Sequence, residues 1–381
     1  MRRNRQVLAS IGLTLSVLAS CDVLAAAQRT FVASSGNDAN PCSLILPCRG
    51  FAAAVAQTNA GGEVIVLDSA GYGPVAIAKS ISITAPAGIY AGISATSGDA
   101  ITITGGSVVE LRGLTLVGAG ASIGIDALNA AQLRVERVAV SNFGRGLFFG
   151  GAGTLVVRDS SFDSNYEVGI HVEPLSGVAL VTVERSSMAN NGANGMALAG
   201  TTRGTVSQTA VTDSGNVGFL IDAGAHVSLS DCRSVRRPDL LFRWGIMVRG
   251  TGSKAQIARC EIVGNAVAVY ATDHAYAAVV DTTALASTDW TWAGFFSDTG
   301  STMDIERSTA QGFAIAGFMV SNASFGEPQA TIRVSNSMAI GNGNGFYNNG
   351  GNGVFETRGN NTVRGNGSNP YAPYFTTIGG Y

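Results

Sequence analysis

The amino-acid sequence predicts an all-β fold: a parallel β-helix, in which short strands coil into rungs stacked around one apolar core. Three observations predict it. The first is a recurring unit: LRVERVAVSNFGRGLFF from residue 133, LVVRDSSFDSNYEVGIHV from 155, VTVERSSMANNGANGMAL from 181, MDIERSTAQGFAIAGFMV from 303 and TIRVSNSMAIGNGNGFYN from 331. The second is strict apolar alternation in short runs, the period of strands with one buried face. The third is a turn-rich composition, with 50 glycines in 381 residues and only 13% charged residues, about half the usual charged share.

The second apolar residue of each unit serves as an anchor: Leu111, Val135, Val157, Val183, Val206, Leu229, Ile257, Val280, Ile305 and Val334. A constant core with variable spacing places the insertions in loops between stacked repeats. Five residues past the anchor stands a large apolar side chain in most copies: Leu116, Val140, Phe162, Met188, Val211, Ile262 and Leu285. Eight past it Asn recurs as Asn165, Asn191, Asn265 and Asn342, a residue suited to left-handed turns. Then come Gly and a second alternating run, as in Gly169-Ile170-His171-Val172. One such unit cannot bury its own apolar face, but the next unit stacked on it can. At about 4.8 Å per rung the ten anchors span roughly 45 Å. Leucine-rich repeats are excluded because their leucine spacing is missing, and the pattern itself does not fix handedness.

The elements follow in order. Residues 1–27 read as an export signal: Arg2, Arg3 and Arg5 precede the apolar run Val7–Ser20, which is too short for a membrane span. Two processing sites compete. Ala25-Ala26-Ala27 suits ordinary cleavage, whereas Leu18-Ala19-Ser20-Cys21 resembles the lipobox of bacterial lipoproteins, with Cys21 lipidated. Either route predicts a secreted, periplasmic or cell-surface protein. Removing Arg2, Arg3, Arg5 and Asp22 takes the net charge from −2 to −4, a balance that speaks against a nucleic-acid partner. Residues 28–75 form an N-terminal cap in which Cys42 and Cys48, in NPCSLILPCRG, close a disulfide loop, since export permits one. Residues 76–366 form the coil and 367–381 a tail. The three histidines, His171, His226 and His274, are scattered, so no metal and no cofactor is expected.

The stretch from 36 to 83, GNDANPC…PCRGFAAAVAQTNAGGEVIVLDSAGYGPVAIAKSISI, resembles the N-terminal entry of the pectin-lyase-like, right-handed parallel β-helix superfamily. The matching features are Gly-x-Asp-x-Asn-Pro, a Pro-x-x-x-Phe lead into an Ala-rich segment, and Ala-Gly-Gly-Glu-Val before the first strand. The resemblance covers roughly residues 29–366. It implies right-handed coiling and a short helix at about Phe51 to Thr58, closing the open end of the stack, where core and strand edges would otherwise be bare. It implies little about chemistry, because that superfamily mixes lyases, hydrolases, epimerases and non-enzymatic surface proteins. In the repeat frame Cys232 and Cys260 both stand three residues past their anchors. Two readings stay open there: a disulfide across adjacent rungs, or two small core residues.

Catalytic signatures of that superfamily are missing. Arg236-Arg237-Pro238-Asp239-Leu240-Leu241-Phe242-Arg243 comes nearest to Arg-x-Pro-x-x-Arg of the pectate lyases, but Leu241 occupies the second arginine's place. Asn-Thr-Asp, Gly-His-Gly and Arg-Ile-Lys of polygalacturonase-like hydrolases are absent. In the second alternating run the outward column reads His171, Ala197, Leu220, Met247, Ala268, Phe296, Met319, Tyr347. So many apolar side chains facing outward are unexpected on a solvated sheet. Trp244, Trp290 and Trp292 lie beside it, with Arg236, Arg237 and Arg243. Aromatic faces next to arginines suit an acidic polysaccharide; the competing reading is that long loops bury the column as satellite core. The charges at Glu136-Arg137, Arg158-Asp159, Glu184-Arg185 and Glu306-Arg307, and the Asp222–Arg249 pair, are expected to neutralise one another across rungs. The sequence thus predicts an exported, non-enzymatic binding or scaffold protein, with Trp244, Trp290, Trp292, Phe296 and the three arginines as the candidate polysaccharide contacts. A lyase or hydrolase of uronic-acid glycans, using Arg243 or Arg249, and a structural spacer are the alternatives.

Overall fold

The computed structural model describes residues 27–237, 243–287, 291–321, 328–350, 353–368 and 375–378. Its described strands fall into three parallel sheets, here A, B and C, of 15, 13 and 12 strands. Each coil contributes one strand to each sheet in turn, so hydrogen-bonded neighbours come from successive coils. The anchors stack as the repeat predicts: Leu111, Val135, Val157, Val183, Val206, Leu229 and Ile257 are register partners from rung to rung in sheet A, and all are buried. The next anchor is Val279, paired with Ile257 and Ile305, rather than Val280. YAAVV offers two adjacent valines, and only the strand's alternation decides which one faces inward. The same one-residue slip makes Ala284, not Leu285, the interior residue of sheet B on that rung.

Volume passes between sheets along the stack. Interior positions of sheet B run from Leu116, Val140 and Phe162 to Ala284, Ala310 and Ala339, while those of sheet C end in Phe295, Phe318 and Phe346. These three rings stack at 5.2 Å centroid spacing. As one wall shrinks the opposite wall fills, which keeps the interior close-packed. The Gly that recurs in the sheet C runs meets a packing requirement: a Cβ on Gly195 would sit 2.4 Å from Val211 Cγ1 and 2.8 Å from the carbonyl oxygen of Gly218.

The recurring asparagines are interior groups rather than turn formers. Asn165, Asn191, Asn265 and Asn342 are buried. Asn191 Oδ1 accepts from the backbone N–H and the Nδ2 of Asn165, both at 3.0 Å, and its own Nδ2 donates to the Phe162 carbonyl at 2.9 Å. Left-handed geometry falls one residue earlier, at Asn142, Ser164 and Asn190, and again two residues past the anchors, at Arg137, Asp159, Arg185, Asp231, Arg259, Asp281 and Arg307. That second corner brings opposite charges together on adjacent rungs. Arg185–Asp159, Arg259–Asp231 and Arg307–Asp281 all pair at 2.8 Å, as the charge alternation in the sequence anticipates.

The N-terminal end is closed by the helix Phe51–Gln57, which buries Phe51, Ala54 and Val55 against the strands Ala27–Val32, Thr58–Val66 and Val75–Ile77. Asp38 fixes its approach by accepting from the N–H groups of Arg49 and Gly50 at 2.7 and 2.8 Å. Sheet A already starts with Ala27–Val32 and Thr58–Val66, so the stack extends into the cap segment. At the other end Phe375–Thr377 pairs with Val354–Thr357, which ties part of the tail onto the last coil. Cys42 and Cys48 form the disulfide. Cys232 and Cys260 are buried free thiols, which matches the small-core reading and not the cross-rung bond. A hydrogen bond shared with Cys260, together with burial, pushes the Cys232 thiol far up. It therefore stays protonated.

Candidate functional site

The outward column of sheet C has the register Asp126, Phe148, His171, Ala197, Leu220, Met247, Tyr270, Phe296, Met319, Tyr347. Tyr270 belongs to it, and Ala268 does not. Ala268 stands where other rungs carry the Gly, and without that glycine the sequence frame slips by two. Phe296 and Met319, 3% and 1% exposed, are shielded members of a second apolar cluster with Val267, Ala293 and Ala316. Trp244, Tyr270, Trp292 and Tyr347 pack against it, half-buried. Their rings form a chain: Trp244 on Tyr270 at 6.4 Å, Tyr270 on Phe296 at 4.9 Å, and Trp292 edge-on to Phe296 at 5.5 Å. Phe296 is therefore removed from the ligand contacts, because it has no surface to offer. Trp290 and Pro238–Phe242 lie outside the described residues.

Arg236 and Arg237 are turned to partners away from that strip. Arg236 Nη1 donates to the Ser214 carbonyl oxygen. Arg237 bridges Asp213 at 2.6 Å and Asn190 at 3.3 Å. Arg243 is half-buried, and its Nε has no hydrogen-bond partner among the described residues. Arg249 pairs with Asp222, its Nε 3.1 Å from the carboxylate, as expected. Further along the face His171 lies 5.4 Å from the Phe148 ring and 3.4 Å from Glu173. Burial and the nearby Arg145 hold its pKa below the ordinary imidazole value, so it is neutral at pH 7. Asp126 is shifted the other way, up, by burial and then by Asp99. Each keeps one buried polar atom without a partner, with Phe148 between them in register.

A more open surface lies on sheet A, which the sequence reading passed over. Outward positions three residues before the anchors put Arg203, His226, Lys254 and Tyr276 side by side on four consecutive rungs. The adjoining column reads Thr205, Ser228, Gln256, Ala278, Asp304, Arg333, Glu356. Two depressions of about 190 and 470 Å³ share Gln256 and make one groove along this face. From the His226 strand to the Glu356 strand it runs about 24 Å at 4.8 Å per rung, and Arg203 stands on the next rung beyond its His226 end.

The two ends differ in charge. Arg112, Arg145, Arg158, Arg185, Arg233, Arg259 and Arg307 each meet a carboxylate within 4 Å. Arg203, His226 and Lys254 meet none among the described residues; Arg203 donates only to the carbonyls of Thr202 and Gly224. Burial, then Arg203 and Lys254, hold the His226 pKa below its ordinary value. At the far end Arg333 lies between Glu356 at 2.5 Å and Asp304 at 3.2 Å, and those contacts hold it firmly protonated. Tyr276 donates to Asp304 at 2.7 Å; burial and that bond push its pKa up to about 12. Ser335 and Asn336 hydrogen-bond Glu306 and keep its carboxyl below the usual range. These groups are held in their ordinary charge states, with hydroxyls and an amide turned outward, an arrangement able to bind. No cluster of three metal-ligating side chains occurs among the described residues, nor any helix long and apolar enough to cross a membrane.

The signal for this face was present in HVSLS, KAQIA and YAAVV, whose first letters are His226, Lys254 and Tyr276. Anchoring on Val280 displaced Tyr276 from the column, while Arg203, His226 and Lys254 keep their places three residues before Val206, Leu229 and Ile257.

Comparison with known proteins places the architecture. The sequence family described as "Right handed beta helix region" matches residues 87–209 and 175–368. No curated protein sequence matches the chain. Among solved structures, a GH136 lacto-N-biosidase from Eubacterium ramulus is 8% identical, with 91% of this chain and 67% of that one covered at a TM-score of 0.52. The pectate lyase Pel9A is 16% identical, with 92% and 78% covered at a TM-score of 0.45. Similarity at these identities concerns the fold.

Proposed function

Because the chain belongs to the right-handed β-helix family, whose coils present long flat faces, we propose that it is an exported protein that binds an acidic polysaccharide, without catalysis, along the groove of sheet A. One observation carries the reading: Arg203 and Lys254, with the imidazole of His226 on the rung between them, have no carboxylate to neutralise them, on a molecule that pairs most of its other arginines. A cation kept unpaired on a solvated face gives no stability of its own, and its use is to meet an anion. The rung repeat of about 4.8 Å is close to the length of one sugar residue in an extended chain. Ser228, Gln256 and Thr205 beside the cations would hydrogen-bond ring hydroxyls, and Tyr276 would offer an apolar edge.

Three groove residues are held in protonation states that suit binding rather than hydrolysis or elimination. General acid–base work needs a group poised near the working pH, and Tyr276, Glu306 and Arg333 are all shifted away from neutrality. The test is affinity electrophoresis through gels containing a uronic-acid polymer or its neutral counterpart. Retardation by the acidic polymer alone, relieved in Arg203→Ala/Lys254→Ala, is the expected result. Equal retardation by both polymers, or by neither, would refute the reading, and so would unsaturated products that accumulate with time.

A further inference from the structure

The disulfide loop carries the most conspicuous apolar exposure of the described chain. Leu44, Ile45 and Leu46, consecutive at its tip, are 61%, 85% and 49% exposed. The loop cannot fold them inward. Its base is pinned by Cys42–Cys48 and by hydrogen bonds from Phe31 N to the Cys42 carbonyl at 2.8 Å, from Cys48 N to the Phe31 carbonyl at 3.0 Å and from Asn37 N to the Pro47 carbonyl at 3.1 Å. Asn40 Nδ2 adds a bond to the Pro47 carbonyl at 2.8 Å. Three large apolar side chains held rigidly in water have a cost unless something covers them.

Position and charge identify the cover. The loop is bonded to Ala27–Val32, the edge strand of sheet A at the start of the stack, so the tip and the chain's point of entry share one end of the molecule. Cys21 of the Leu-Ala-Ser-Cys motif precedes Ala27 by six positions, a stretch of chain that reaches about 20 Å when extended. A lipid on Cys21 would tether this end of the molecule to a bilayer, and an apolar tip beside it would then meet the same surface and set the orientation. Charges near the loop balance: Arg29 meets Glu63 at 3.2 Å, and the carboxylate of Asp38, which accepts from the N–H groups of Arg49 and Gly50, is matched by the guanidinium of Arg49. A neutral, apolar tip fits the interfacial zone of a bilayer rather than an acidic or basic partner.

We propose that Leu44, Ile45 and Leu46 form a membrane-seating foot, whose side chains insert into the interfacial layer and stand the solenoid on the membrane by its N-terminal end. The foot acts independently of the sheet A groove. Its test uses residues 27–381, which retain every described strand and lack Cys21, mixed with vesicles of phosphatidylcholine, with or without phosphatidylglycerol, and separated by flotation. The chain should float with both vesicle types. Ile45→Asp should lower the bound fraction at least about tenfold, the loss of one buried aliphatic side chain, with circular dichroism and melting temperature unchanged because Ile45 is 85% exposed. Four results would overturn the proposal: no flotation of the parent chain, flotation untouched by Ile45→Asp, flotation confined to anionic vesicles, or a self-association that Ile45→Asp abolishes. The last would assign the tip to a second copy of the chain.

Discussion

His226 is the reporter that the groove supplies. It stands in register between Arg203 and Lys254, and burial followed by those two cations lowers its pKa. An anion seated on the column would reverse the balance. A carboxylate about 4 Å from the imidazole interacts by roughly 1 kcal/mol in a fully water-like medium and by more as water is excluded. Since 1.36 kcal/mol corresponds to one pKa unit, a saturating acidic oligosaccharide should raise the His226 pKa by about one unit. Affinity must then rise as pH falls through the titration of His226, because ligand and proton favour each other's binding. The sign for stability is opposite. A histidine with a depressed folded pKa loses stabilisation as pH falls, since the unfolded chain takes the proton first. The assay is an NMR titration of the imidazole resonances with and without uronic-acid oligomers, using His171, on sheet C, as the internal control. A His226 midpoint that stays put while the ligand binds would refute the placement, and a shift at His171 instead would move the site to the other face.

Other consequences follow from the same geometry. Arg203→Ala and Lys254→Ala should each weaken binding of an acidic glycan about tenfold, one charge-assisted contact each, while Trp244→Ala leaves it unchanged; isothermal titration decides. Phe296→Ala should cost about 3–5 kcal/mol in urea unfolding, because it empties the centre of the sheet C cluster, and should leave glycan affinity intact. Asn191→Ala should cost about 2–4 kcal/mol: it strips partners from the Asn165 N–H and the Phe162 carbonyl, and each buried orphan costs about 1–3 kcal/mol. A loss under about half a kcal/mol would mean that the ladder is solvated.

The stack was legible in the sequence because its rule is one-dimensional. Valines at Val157, Val183 and Val206 recur at the core, and insertions fall between them, so alignment alone places them over one another. Register was legible only where the residues disambiguate it. Two adjacent valines at 279 and 280, and Ala268 in place of a glycine, each moved a column by one or two positions. The buried asparagines illustrate a different limit. Asn191 suits a turn and an interior ladder equally well by composition, and what decides is the carbonyl of Phe162 in the coil before it, a contact 29 positions away.

The groove escaped notice for a related reason. Arg203, His226 and Lys254 are separated by 23 and 28 residues, and each alone is an unremarkable surface charge. Their meaning lies in what they lack. Asp159 faces Arg185, Asp231 faces Arg259 and Asp281 faces Arg307 across neighbouring rungs, so the fold has the means to neutralise a cation at almost every coil. On a solenoid, where every side chain has two fixed neighbours about 4.8 Å away, two uncompensated cations flanking an imidazole are a property of the column, not of the residues. Counting charges along the chain gives near balance, whereas counting them along the rungs isolates one face with a positive end. That difference is why the binding face emerges from register.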